Sequence, residues 1–151
     1  SRRGFNIDSL TVGATQNPEY SRMTVVIYGN NAITTQVVRQ LKKLIEVVTV
    51  KVLPLDEAVI RGMTLVKVRT DNNRSEILKL AEVFRAKVVD IKEDMVTMEI
   101  TGDEQKAIAF IDVLKPYGIL EMIRTGSSAI ERGSNIMYKW EEEKKHEKNV
   151  L

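Results

Sequence analysis

With 151 residues, 43% of them hydrophobic, the chain has enough apolar surface to core one ordinary domain or two small ones. Its 23 basic and 21 acidic residues leave a net charge of +2, too evenly balanced for the basic stripe that nucleic acid demands. No cysteine is present, which excludes disulfides, thiolate nucleophiles and zinc-thiolate sites. No apolar run reaches the roughly 20 residues of a membrane span, so the expected setting is cytoplasmic, with neither membrane nor nucleic acid as partner.

In chain order, Phe5 and Ile7, then Leu10 and Val12, alternate with polar residues, and the change of phase at Ser9-Leu10 predicts a strand with a bulge. The polar stretch ATQNPEY is a loop, and the β-branched run MTVVIYG is a second strand ending at Gly29. Ile33, Val37, Leu41, Leu44 and Ile45 then share one face of a helix, with Asn30 or Asn31 as its cap. VVTVKVL, Val47 to Leu53, reads as a strand stopped by Pro54, and LDEAVIRG, residues 55–62, as a linker.

Beyond the linker, MTLVKVR predicts a strand and DNN a turn, followed by a helix over Ser75 to Ala86 with Ile77, Leu80, Ala81 and Phe84 inward. Lys87 to Ile91 and Met95 to Thr101 form a hairpin. A helix led by Gly102-Asp103 buries Ala107, Phe110, Ile111 and Leu114, and Pro116 and Gly118 stop it before a last strand, Ile119 to Arg124. The order βαββαβ predicts a ferredoxin-like sandwich, two helices on one face of a four-stranded antiparallel sheet. Residues 63–132 are assigned to this domain and 1–54 to a first one. Residues 133–151 form a charged tail, an exposed helix or a disordered segment.

The two domains repeat. An offset of 73 residues pairs Ile27 with Ile100, Gly29 with Gly102, Val38 with Ile111, Leu41 with Leu114 and Val50 with Ile123. The fold class expected is therefore α+β, two ferredoxin-like domains, the first supplying only ββαβ. Its initial strand and helix, about 20 residues by comparison with the second domain, are expected ahead of Ser1 in a longer product. On that expectation SRRGF is the last turn of such a helix leading into a strand.

Catalytic chemistry finds little support. The single histidine, His146, lies between Lys145 and Glu147 in the charged tail, where it reads as solvated, so no triad or metal cluster can be built on it. Asp90 and Glu99 suit exposed strand charges, and Asp103 and Glu104 suit a helix start. Gly29, Asn30 and Asn31 lack the further glycines or lysine of a phosphate cradle and read as turn and cap. VVIYG and VTMEITG lack the stacked aromatics of an RNA-binding sheet. What remains is a pair of modules of the kind that bind small effectors or partner proteins, commonly as symmetric dimers.

Particular runs go further. RRGFNIDSLTVG, Arg2 to Gly13, followed by NPEYSRMTVV, Asn17 to Val26, resembles the ACT domain of the regulatory small subunit of acetohydroxyacid synthase, also called acetolactate synthase. QLKKLIEVVTVKVL resembles the second helix and last strand of that domain, and MTLVKV, EVFRAKVVDI, TGDEQKAIAF and IRTG resemble the family's C-terminal domain. The likeness covers about Arg2 to Arg132.

The resemblance implies a non-catalytic subunit and a set of partners. It implies stimulation of a separate catalytic subunit, which uses thiamine diphosphate, magnesium and FAD, and no cofactor in this chain. It implies feedback inhibition by valine or another branched-chain amino acid, bound where two ACT domains of a homodimer meet. Asn6 would contact the amino acid, its amide offering donors and acceptors to a zwitterion, with Ile7 beside it; Thr11, Gly13 and Gln36 match positions shaping the same face. Taken alone, Asn6 also suits a strand start that caps a turn. The family's first-strand loop, which supplies backbone donors to the effector's carboxylate, has no counterpart here, and in the 4-1-3-2 strand order that strand would separate Val47 to Leu53 from Met23 to Tyr28.

Overall fold

A computed structural model describes residues 6–137. Phe5, Tyr138, Trp140, His146 and the part of the predicted 133–151 tail from 138 onward lie outside the described residues. The fold divides into two units, one holding residues up to Val59 together with those from Ala129 onward, the other Ile60–Ser128.

In the first unit, β1 (Asn6–Ala14) and β2 (Ser21–Tyr28) form an antiparallel hairpin. The expected irregularity is present as a register shift between Ile7 and Ser9. The loop between the strands is closed by short-range polar contacts: the Asn17 amide N–H donates to Thr15 Oγ1 (3.1 Å), and that of Glu19 to Asn17 Oδ1 (3.0 Å). Helix α1 (Asn31–Lys42) starts where the side chain of Asn30 accepts from the Ile33 amide at 3.0 Å, a local N-cap.

Two expectations fail here. Helix α1 ends at Lys42, and Leu44 and Ile45, read as its inward face, lie beyond it in successive turns, Ile45 being 97% exposed. Val47 to Leu53 is not a strand. β propensity cannot substitute for a ladder partner. In the 4-1-3-2 order its neighbour would be the first strand of the fold, and among the described residues only β1 and β2 make up this sheet.

Strand β3 (Ala58–Arg69) follows a 3-10 turn at Leu55–Glu57 and begins inside the stretch read as a linker, because Ala58, Val59 and Ile60 already extend the β run. Helix α2 (Arg74–Phe84), strands β4 (Lys87–Ile91) and β5 (Met95–Gly102), helix α3 (Glu104–Leu114) and strand β6 (Ile119–Arg124) complete the predicted βαββαβ. The sheet order β4-β5-β3-β6, antiparallel throughout, is that of the ferredoxin-like fold. A short strand, β7 (Ser128–Glu131), for which no element is predicted above, pairs with β3.

Burial in the second unit follows the two periodicities. Val66 and Val68 of β3 and Val96, Met98 and Ile100 of β5 point to one face, and Ile77 and Ala81 of α2 with Phe110, Ile111 and Leu114 of α3 close over them. The Phe84 and Phe110 rings pack with centroids 5.1 Å apart. Each fully buried large side chain contributes about 1.5–3 kcal/mol. Gly118, at φ 100°, takes the turn into β6 that a side chain would strain, and its carbonyl accepts from the Arg69 amide at 2.9 Å.

Candidate functional site

The residues singled out from the sequence fall mainly on β1, and the hairpin register sorts them by face. Ile7, Leu10 and Val12 lie opposite Ile27, Val25 and Met23, and the bulge keeps all six on one side. Ser9, Thr11 and Gly13 lie opposite Val26, Thr24 and Arg22 on the other, and Asn6 pairs with Tyr28 at the start of the ladder. Thr11 and Gly13 are thus brought together along one polar face, and Asn6 begins the same strand. Ile7 points the opposite way and is 51% exposed, and Gln36 stands exposed on α1.

The polar face is partly covered by residues the sequence reading did not connect to it. The Arg22 guanidinium donates to the Ala129 carbonyl through Nη2 at 3.0 Å, and the Ala129 amide donates to Thr24 Oγ1 at 3.3 Å. Thr11 Oγ1, across the ladder from Thr24, is buried with no hydrogen-bond partner among the described residues. An unsatisfied hydroxyl of this kind costs about 1–3 kcal/mol. Next along the same face, a Cβ on Gly13 would meet nothing within 4 Å, so the surface is open there.

The strap that carries Ala129 is anchored beyond it. Glu131 pairs with the Lys51 ammonium and accepts from Asn135 Nδ2 at 2.7 Å. The Arg132 amide donates to the Glu57 carbonyl at 2.8 Å. The Lys51 bond first, then the Asn135 bond, holds the Glu131 carboxyl below its ordinary range. The stretch Ser128-Ala129-Ile130-Glu131, with two adjacent apolar residues and no alternation, is too short to announce a strand, and nothing local links it to Arg22 or Thr24.

A guanidinium, two threonine hydroxyls and an open glycine can hold a small polar molecule. Among the described residues there is no group of three or more His, Cys, Asp or Glu side chains able to hold a metal ion, and no helix long and apolar enough to cross a membrane.

Comparison with known proteins identifies both units. Residues 1–49 match the family described as an AHAS small subunit-like ACT domain, and residues 61–133 match that described as the small subunit of acetolactate synthase. A probable acetolactate synthase small subunit of Archaeoglobus fulgidus is 47% identical over 135 residues, covering 88% of this chain and 84% of that one. The acetolactate synthase small subunit of Aquifex aeolicus is 44% identical over 136 residues, covering 89% and 71%. The crystal structure of the acetolactate synthase small subunit from Thermotoga maritima aligns with a TM-score of 0.82 at 40% identity, covering 89% and 84%. The relatives carry the name of the small subunit, not of the catalytic one, and the chain belongs to the acetolactate synthase small-subunit family.

Proposed function

We propose that this chain stimulates the catalytic subunit of an acetolactate synthase and makes it sensitive to feedback inhibition by valine or another branched-chain amino acid. The observation that carries the proposal is the pairing of an ACT-type unit bearing an open polar face with a second unit that matches the small-subunit family over 61–133. That second match favours this reading over a stand-alone amino-acid-sensing ACT protein. Thiamine diphosphate, magnesium and FAD belong to the catalytic partner, and the setting is cytoplasmic.

Regulation of this kind is a coupling free energy: the effector must bind one state of the assembly better than another. The apolar side of the hairpin, with Leu10 56% and Val12 58% exposed, supports a homodimer in which a second copy covers that face. Within the effector contact, Asn6, Ile7, Thr11, Gly13 and Gln36 are the assigned residues.

The test is acetolactate formation by the catalytic subunit with increasing amounts of this chain, each across a valine titration. Stimulation that valine reverses is expected. Absence of stimulation overturns the proposal, and stimulation that no branched-chain amino acid alters removes its feedback half.

A further inference from the structure

Ala129 meets the hairpin through both of its backbone polar groups. Its amide nitrogen donates to Thr24 Oγ1 and its carbonyl oxygen accepts from Arg22, so both polar ends of one N–Cα–C=O unit are held by alternate positions of β2. That unit is the backbone of an α-amino acid. We propose that Arg22, Thr24 and Thr11 form an α-amino-acid site on the polar face of the hairpin, and that Ala129 occupies it as a built-in mimic which the free ligand displaces. The proposal deepens the effector reading above and rests on it.

The chemistry of the three side chains favours the free ligand over the mimic. A carboxylate replaces the neutral Ala129 carbonyl at Arg22, and a charge-assisted bond is about twice as strong as a neutral one. An ammonium brings three N–H donors where the Ala129 amide has one. The idle Thr11 hydroxyl, buried beside Thr24, is the second acceptor such a group requires. Gly13, opposite Arg22 and with empty space where a Cβ would stand, leaves room for an aliphatic side chain.

The strap is suited to leave. It is four residues long, and its further ties among the described residues include the pairing with β3, the Arg132 amide on the Glu57 carbonyl, the Asn135 amide on Glu131 and the Lys51–Glu131 ion pair. Occupancy by the strap lowers apparent ligand affinity by the fraction of molecules in which the site is free. Since Ala129 follows directly from the end of the second unit, ligand entry would release one of the two chain segments that join the units.

Hydrogen exchange and calorimetry on the full chain, with L-valine as probe, test this. Saturating valine should speed exchange of the amides in the 129–132 peptide while slowing exchange in β1 and β2. Arg22→Gln and the isosteric Thr24→Val should each weaken valine binding about tenfold, and Glu131→Gln, which loosens the strap away from the binding groups, should tighten it roughly threefold. Valine that protects the strap, or binding unchanged in both Arg22→Gln and Thr24→Val, overturns the proposal. If Asn6→Ala then abolishes binding, the effector reading stands without it. A chain that takes up no valine, either as the parent or as Glu131→Gln, overturns both.

Discussion

Strand β2 with helix α1 and strand β5 with helix α3 are two versions of one piece of structure, 73 residues apart in sequence. Each strand runs into a glycine and then a cap, and the cap side chain accepts from the amide three residues on: Asn30 from Ile33, Asp103 from Lys106. A Cβ on either glycine would crowd the same helix position, reaching Ile33 at 2.9 Å or Lys106 at 2.7 Å. Burial separates them. Ile100, Ile111 and Leu114 are buried, whereas their counterparts Ile27, Val38 and Leu41 are only half-buried, and α1 has no buried residue at all. Local chemistry therefore builds the helix and its cap in both places. A dry core needs the rest of the sandwich: β3 and α2 supply it in the second unit, and the described part of the first has no equivalent.

The largest consequence lies in the cores. Phe110→Ala in the full chain should cost about 3–5 kcal/mol, the price of a large cavity in a closed core. Leu41→Ala, at a half-buried position, should cost less than half as much as Leu114→Ala, its repeat partner. Urea denaturation followed by tryptophan-independent circular dichroism measures both, and equal losses at Leu41 and Leu114 would erase the distinction between the units.

Helix caps should behave in the opposite way. Asn30→Ala and Asp103→Ala should each remove about 1 kcal/mol, because the lost bond is local and exposed in both units. A cap effect confined to α3 would mean that α1 owes its stability to something other than its own sequence.

These elements were legible because their causes are local. The phase change at Ser9-Leu10 is the bulge beside Ile7, the alternation of β3 and β5 is the core face, and Ile119 to Arg124 is a strand from end to end. Val47 to Leu53 misled because its β-branched residues describe a willingness to pair, and pairing requires a neighbour. Of the polar face, Thr11 and Gly13 could be placed by resemblance. Arg22 and Thr24 could not, since their contacts with Ala129 span 107 and 105 residues and run through a backbone amide and carbonyl, which no side-chain pattern encodes.

A smaller and more local effect concerns the strap. Glu131 has its proton affinity lowered by Lys51 and Asn135, so the folded form binds the proton less readily than the unfolded form does. Its contribution is present above the ordinary glutamate value of 4.5 and is lost as pH falls through the lower folded value. Pulse-labelled exchange, corrected for intrinsic pH dependence, should show the 129–132 amides opening in that acid range before the core of the second unit does. Glu131→Gln should remove the pH dependence of strap opening.

The central claim is that the polar face of the hairpin senses the effector while another surface engages the catalytic subunit. Acetolactate formation by the catalytic subunit assembled with Asn6→Ala, titrated with valine against the parent assembly, tests it most directly. The predicted result is full stimulation with valine sensitivity reduced about tenfold or more, the loss of a hydrogen bond to a charged ligand. Stimulation with an unchanged valine response would contradict it.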